Sequence, residues 1–177
     1  CGRRGLPVPA FFVALQQAEH AVRIVARVPT ILRVPTPYDR PESVSNSSTR
    51  PSIAVLGIGM MGYPMARRLC EAGFTVHAWN RSRAKAERLL TAGAQVHDSP
   101  AQAVATADLV ITLLEDGCAV ESVLFEQGAA NGMRSGTLVV DMSSIQPRQA
   151  RDHAARLAAI GVQHLDAPVS GGTVGAE

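Results

Sequence analysis

The chain has 177 residues, of which 46% are hydrophobic and 18% are charged, and its formal net charge is +2 at pH 7. This length and composition predict one globular domain, or one domain with an extension, and exclude a disordered chain. No dense basic patch favours nucleic-acid binding, no apolar run reaches the roughly 20 residues that span a bilayer, and the three cysteines and five histidines lack metal-ligand spacing.

Residues 1–51 differ in composition from the remainder, because they contain seven of the eleven prolines together with seven arginines. Apolar residues at helical spacing allow a helix over Ala10–Ala26, but the prolines beyond it break any regular element. We therefore interpret residues 1–51 as a flexible extension and residues 52–177 as the folded domain. An arginine-rich leader is also typical of organelle targeting, which is the alternative to the cytoplasmic location that we expect.

The stretch from Ser52 to Ser82 has the pattern of a strand, a turn, a helix and a second strand. The apolar run Ile53–Leu56 predicts a buried strand, the helix after the turn ends near Ala72, and Phe74–Trp79 is the next strand. Such a unit is the first half of a dinucleotide-binding domain.

The turn after the first strand has the spacing G-x-G-x-x-G, with Met60 and Met61 inside it. Gly57 allows the sharp turn, Gly59 admits a pyrophosphate close to the backbone, and Gly62 lets the helix pack against the strand. The N-terminus of that helix offers free N–H groups and a partial positive charge to the phosphates. The turn therefore predicts a dinucleotide-binding site.

Helices and strands continue to alternate after Ser82, which predicts an α/β fold with a doubly wound parallel sheet of the Rossmann type, incomplete at its C-terminal end. The expected elements, in chain order, are a helix capped by Ser82 and closed by Gly93, a strand at Ala94–Val96, a turn at Ser99–Pro100, a helix to about Ala105, a strand at Asp108–Leu114, a helix at Ala119–Phe125, loops at Gly128, Gly132 and Gly136, a strand at Thr137–Asp141, a helix at Pro147–Ile160 and a strand at Val162–Leu165.

The segment after the second strand, Asn80-Arg81-Ser82, favours NADP over NAD. An acidic residue here would bind the adenosine ribose hydroxyls of NAD, whereas Asn80 does not repel a 2'-phosphate and Arg81 can pair with one. The alternative interpretation is a solvated helix start with ordinary surface arginines.

Ligands of such sheets bind beyond the carboxyl ends of the strands. In the segment after the sixth strand, the turn Ser170-Gly171-Gly172 has a hydroxyl and successive N–H groups that can hold a carboxylate. Asp116 and Asp166 are more typical of loop or capping carboxylates than of catalytic ones. The histidines are interpreted as surface or half-buried rings, so the residues themselves predict no catalytic group and no metal site.

Four motifs within residues 52–177 resemble the β-hydroxyacid dehydrogenase family, which includes 3-hydroxyisobutyrate dehydrogenase, and the NADP-binding domain of 6-phosphogluconate dehydrogenase. The motifs are G-I-G-M-M-G-Y-P-M-A-R-R-L, W-N-R-S, D-M-S-S-I-Q-P and D-A-P-V-S-G-G-T-V-G-A. The resemblance implies reversible hydride transfer between NADP and a short 3-hydroxy acid or its semialdehyde. It also implies a glycine loop (Gly57, Gly59, Met60, Met61, Gly62), a 2'-phosphate site (Asn80, Arg81, Ser82), nicotinamide and ribose contacts (Leu113, Leu114, Ser143) and a substrate-carboxylate site (Ser170, Gly171, Gly172).

The sequence departs from this family in its lysines. The family's general acid/base is a lysine beyond the S-G-G turn, but the single lysine here, Lys85, belongs to the helix after the second strand. Because that lysine delivers a proton to the developing alkoxide, we expect cofactor binding without turnover. The ends at Cys1 and Glu177 predict a fragment that leaves a sheet edge exposed. Homo-oligomers are expected only with the helical domain that follows in the family.

Two alternatives stay open at this point. One is a non-catalytic NADP-binding module with a regulatory or scaffolding role, favoured if the reading frame ends at Glu177 rather than continuing into a helix with lysine and asparagine. The other is a doubly wound methyltransferase, but S-adenosylmethionine has no phosphate for Arg81 to bind.

Overall fold

Six parallel strands form one sheet in the computed structural model, which describes residues 50–169. The expected helix Ala10–Ala26 and the turn Ser170-Gly171-Gly172 lie outside the described residues. The strands are β1 (Ile53–Leu56), β2 (Val76–Trp79), β3 (Gln95–Val96), β4 (Leu109–Thr112), β5 (Leu138–Asp141) and β6 (Gln163–Asp166).

The spatial order of the strands is β3-β2-β1-β4-β5-β6. The first strand, β1, is therefore at the centre of the sheet. β2 and β3 extend from it to one edge, and β4, β5 and β6 extend from its other side. Because successive connections leave β1 and β4 in opposite directions, a crevice opens beyond the carboxyl ends of these two strands. The predicted doubly wound α/β fold is confirmed.

Helices cover both faces of the sheet. One face is packed by α1 (Gly62–Glu71) and α2 (Arg83–Glu87), followed by a 3-10 turn (Leu90–Ala92). The other face is packed by α3 (Pro100–Val104), α4 (Gly117–Glu121), a π-helix (Ser122–Glu126), α5 (Ala129–Gly132) and α6 (Pro147–Ala158).

The two hydrophobic clusters follow from the alternation of side chains along the strands. In β1, Ile53 and Val55 join the cluster under α1, while Ala54 and Leu56 join the cluster on the opposite face. All four residues of β1 are buried, as are those of β2, β4 and β5. This explains why these strands read as nearly continuous apolar runs, since parallel strands are covered on both faces. β6, at one edge, leaves three of its four residues exposed.

Some predicted boundaries and connections were wrong. The helix expected from Ala119 starts earlier, at Gly117, because Asp116 caps it by accepting a hydrogen bond from the Ala119 N–H at 2.8 Å. Its second half is the π-helix. Gly128 and Gly132, both predicted to lie in loops, are the N-cap and the last residue of a short helix, α5. Gly132 is needed for close packing, because a Cβ there would lie 2.6 Å from the Ala101 carbonyl oxygen of α3.

Helix starts also differ in how they are capped. Ser82 occupies the predicted position before α2 but makes no capping hydrogen bond with its side chain. Ser99, which was expected only to form a turn, caps α3 by accepting a hydrogen bond from the Gln102 N–H at 3.2 Å. Gly93 ends the 3-10 turn in the left-handed region with φ of 90°, as predicted for a closing glycine.

Two histidines are more buried than expected. The sequence predicted surface or half-buried rings, but His77 is 6% exposed and His153 is 1% exposed. His77 Nδ1 lies 3.0 Å from His97 Nε2, and His77 Nε2 lies 3.2 Å from Thr106 Oγ1. Burial lowers the pKa of His77 and of His97, and the neighbouring His97 lowers the pKa of His77 further.

This pair makes the folded state sensitive to acid. Because the folded pKa values lie below the ordinary value of 6.5, the unfolded chain binds more protons as the pH falls past 6.5. The contribution of the two neutral rings to the unfolding free energy is therefore complete above pH 6.5 and is lost as the pH falls toward the folded pKa values.

When the pH is lowered from about 7.5 to about 5.5, we expect the unfolding free energy of His97→Gln to fall by less than that of the wild type. The reason is that the variant lacks one titrating ring and its effect on His77. Urea unfolding followed by circular dichroism at several pH values measures the difference. Parallel pH curves for the two proteins would contradict the assignment.

Candidate dinucleotide-binding site

A cavity of about 590 Å³ lies beyond the carboxyl ends of β1, β2, β4 and β5. All eleven residues that the sequence assigned to the cofactor line it, although they come from four separate segments of the chain. They are Gly57, Gly59, Met60, Met61, Gly62, Asn80, Arg81, Ser82, Leu113, Leu114 and Ser143. The cavity therefore occupies the crevice at the switch point of the sheet.

The three glycines of the turn have different surroundings. A Cβ at Gly57, where φ is 108°, would collide with the Leu113 carbonyl oxygen, and a Cβ at Gly62 would collide with the Gly57 carbonyl oxygen. A Cβ at Gly59 would meet no atom within 4 Å among the described residues. Gly57 and Gly62 thus permit backbone contacts within the protein, whereas Gly59 leaves room beside the loop.

The N-terminus of α1 faces this room with its charge uncompensated. Met61 at the N-cap makes no side-chain capping bond, and the first turn contains no acidic residue. The N–H groups of a first helical turn lack partners within the helix and carry partial positive charge. This end of α1 suits a phosphate group.

Asn80 joins the loop after β1 to the loop after β2. Its Oδ1 accepts a hydrogen bond from the Ile58 N–H at 2.9 Å, and its Nδ2 donates to the Ser82 carbonyl oxygen at 3.0 Å. The sequence suggested only that Asn80 would not repel a phosphate. The structure shows in addition that both ends of its amide fix the backbone around the cavity.

The basic side chains after β2 divide into two groups. Arg83 lies outside the cavity and pairs with Glu87, at 2.9 Å, and with Asp98. Arg81 and Lys85 line the cavity and are exposed, and their side chains have no hydrogen-bonding or ion-pair partner within residues 50–169. Two unpaired cations therefore face the β2 end of the cavity.

A buried carboxylate organises the other end of the cavity. Asp141 is 0% exposed, and its Oδ1 accepts hydrogen bonds from Thr112 Oγ1 at 2.7 Å and from the Ser143 N–H at 2.9 Å. Ser143 Oγ in turn accepts from the Leu114 N–H at 3.0 Å. Sequence reasoning missed this role of Asp141, although a carboxylate that ends an otherwise apolar buried strand was a usable signal.

Sequence reasoning also missed one wall of the cavity, which comes from α4 and the π-helix. The lining residues that had not been assigned to the cofactor are Trp79, Lys85, Glu115, Ala119, Ser122, Val123, Gln127, Met142, Ser144 and Val169. Val169 immediately precedes the predicted substrate-carboxylate turn, which lies outside the described residues.

Residues 50–169 contain no group of three or more His, Cys, Asp or Glu side chains arranged to hold a metal ion. Over the same range, every helix is too short or too polar to cross a membrane.

The sheet order and the cavity at its switch point define a dinucleotide-binding α/β domain. Residues 52–177 match the family model for the NAD binding domain of 6-phosphogluconate dehydrogenase. The chain belongs to this family, within the 3-hydroxyisobutyrate dehydrogenase-like β-hydroxyacid dehydrogenases, and its cofactor is a nicotinamide dinucleotide.

Known relatives resemble this chain over their dinucleotide-binding part. It is 37% identical over 126 residues to 2-(hydroxymethyl)glutarate dehydrogenase of Eubacterium barkeri, covering 71% of the chain and 42% of that enzyme. It is 40% identical over 125 residues to NAD-dependent L-serine dehydrogenase of Pseudomonas aeruginosa, covering 70% and 42%. The structure of Mycobacterium tuberculosis 3-hydroxyisobutyrate dehydrogenase with L-serine matches with a TM-score of 0.67 at 36% identity, covering 71% of this chain and 43% of that one. The chain thus spans about two fifths of the length of these relatives.

The glycine surroundings predict different effects of the same substitution. We expect Gly62→Ala to lower the unfolding free energy by about 1–3 kcal/mol, because the added methyl group must displace backbone. Gly59→Ala should stay within about 0.5 kcal/mol of the wild type, since its methyl group meets open space. Urea unfolding midpoints compare the two variants, and an equal loss in both would contradict the described loop geometry.

Proposed function

We propose that this chain binds NADP(H) and forms the cofactor-binding part of an oxidoreductase that transfers a hydride between NADP and a short 3-hydroxy acid or its semialdehyde. The observation that carries the proposal is the pair of unpaired cations, Arg81 and Lys85, at the β2 end of the cavity.

Charge at the adenosine end favours NADP over NAD. The two dinucleotides differ by a 2'-phosphate on the adenosine ribose, and this ribose lies near the end of β2 in such folds. Arg81 offers a planar fork of donors for phosphate oxygens, and Lys85 adds a second positive charge. No carboxylate stands at position 80, where an acidic residue would repel the phosphate. The L-serine dehydrogenase relative is NAD-dependent, so these residues, and not family membership, support the preference.

The remaining cavity residues fit the other parts of a dinucleotide. The open side of Gly59 and the N-terminus of α1 suit the pyrophosphate. By family resemblance, Leu113, Leu114 and Ser143 would contact the nicotinamide and its ribose, and the bound cofactor would supply or accept the hydride. The hydrogen bonds of Asp141 would hold the loops that carry these contacts.

The substrate site stays a prediction from sequence. The turn Ser170-Gly171-Gly172 would hold the substrate carboxylate through a hydroxyl and backbone N–H groups. Lys85, the single lysine of the chain, is in α2 beside the proposed 2'-phosphate site. Because a proton donor has to reach the reacting carbonyl, we expect this chain to bind NADPH without turning over substrate.

Arg81→Ala should weaken NADPH binding about ten- to hundredfold, because it removes charge-assisted hydrogen bonds to the 2'-phosphate. NADH binding should change much less. Isothermal titration calorimetry with both dinucleotides gives the two dissociation constants.

The matched control is Arg83→Ala, which removes a neighbouring arginine that already pairs with Glu87 and Asp98. We expect this variant to keep the wild-type ratio of NADPH to NADH affinities. Equal losses for both dinucleotides in Arg81→Ala, or no loss at all, would refute the proposed NADP preference.

A further inference from the structure

One wall of the cofactor cavity is built on a π-helix. The segment Ser122–Glu126 follows α4 directly, and the Gln127 N–H donates to the Ser122 carbonyl oxygen at 2.8 Å. Ser122, Val123 and Gln127 line the cavity together with Ala119. Single π-helical turns are rare, and they are frequently found at functional sites.

The contacts that hold this turn come from α6. Glu121, the last residue of α4, receives both of them on separate oxygens: His153 Nε2 lies 3.0 Å from Oε2, and Arg156 donates to Oε1 at 2.6 Å. The Arg156 guanidinium also lies 3.5 Å from the centre of the Phe125 ring, which is in the π-helix. The Phe125 and His153 rings are neighbours, with centroids 5.6 Å apart.

The hydrogen bond between His153 and Glu121 has a defined direction. An ionised carboxylate only accepts hydrogen bonds, so His153 donates from Nε2. His153 is 1% exposed, and a buried polar group that loses its partner destabilises the arrangement around it. Glu121 is therefore fixed from two directions at the residue where the α-helix changes to the π-helix.

The side chains of Glu121, His153 and Arg156 do not line the cavity. Their effect on a ligand must be transmitted through the position of the π-helical wall. The wall presents the small side chains of Ala119, Ser122 and Val123, which suit a flat base. The cations at the β2 end and the contacts expected at Leu113 and Ser143 account for the 2'-phosphate and the nicotinamide, which leaves the adenine for this wall.

We propose that Glu121, His153 and Arg156 are positioning residues that hold the π-helical wall against the adenosine half of the bound cofactor. The inference rests on the proposed function, because it assumes that NADP(H) occupies the cavity. It adds a connection between α6 and cofactor affinity that the cavity-lining residues alone do not contain.

The test compares Glu121→Gln with Glu126→Gln in the 177-residue chain. Glu126 is an exposed residue of the same π-helix, and its carboxylate has no partner among the described residues, so the same chemical change there leaves the cluster intact. Calorimetric titration with NADPH and with adenosine 2',5'-bisphosphate, which is the adenosine half alone, gives two dissociation constants for each protein.

We expect Glu121→Gln to bind both ligands about two- to tenfold more weakly, by the same factor for each, because the wall must be ordered on binding. Glu126→Gln should match the wild type. Arg156→Gln, a more exposed change, should reproduce a smaller loss with the same equality between ligands, and Arg156→Lys should recover part of it. Arg156→Gln also keeps the test decisive if Glu121→Gln does not fold.

Unchanged affinity in both cluster variants would overturn the inference, and so would a loss for NADPH that adenosine 2',5'-bisphosphate does not share, or an equal loss in Glu126→Gln. Absence of NADPH binding by the wild type would instead refute the proposed function, so the two failures are distinguishable.

Discussion

The cavity depends on a backbone contact between the loops that follow β1 and β4. Gly57 lies against the Leu113 carbonyl oxygen, and Gly62 lies against the Gly57 carbonyl oxygen, so neither position has room for a Cβ. This contact brings the start of α1 to the point where the sheet changes direction. In such folds the crevice that receives the ligand lies at this point of the sheet.

Much of the fold was predictable because its signals are local. Apolar strands alternating with helices, the spacing of the glycines and a basic segment after β2 each lie within a few consecutive residues. These signals predicted the sheet and the cavity residues of the glycine turn and of the segment after β2, whereas Leu113, Leu114 and Ser143 were assigned by the family resemblance. Element boundaries were less accurate, since the last residues of a strand or helix depend on neighbours from other segments.

The features that the sequence did not predict are contacts over long separations. Asn80 reaches Ile58 across 22 residues, Asp141 reaches Thr112 across 29, and His153 reaches Glu121 across 32. No local periodicity encodes such pairs. Burial has the same origin: His77 becomes inaccessible only when α3 and β3 are in place, so its sequence neighbours indicated an ordinary polar ring. Likewise, Arg81 and Arg83 look equivalent in the sequence, and only the acidic partners of Arg83 separate them.

The double hydrogen bond of Asn80 also constrains how this scaffold can be redesigned. An aspartate at this position, the usual choice for recognising an unphosphorylated ribose, could still accept from Ile58 but could not donate to the Ser82 carbonyl oxygen, which it would repel. A substitution of Asn80 by aspartate would therefore loosen the loop Asn80-Arg81-Ser82 at the edge of the cavity. Substitutions of Arg81 and Lys85 would leave these two hydrogen bonds intact. The charge beside the cavity can therefore be changed at these two positions, whereas the side-chain amide of Asn80 has to be kept.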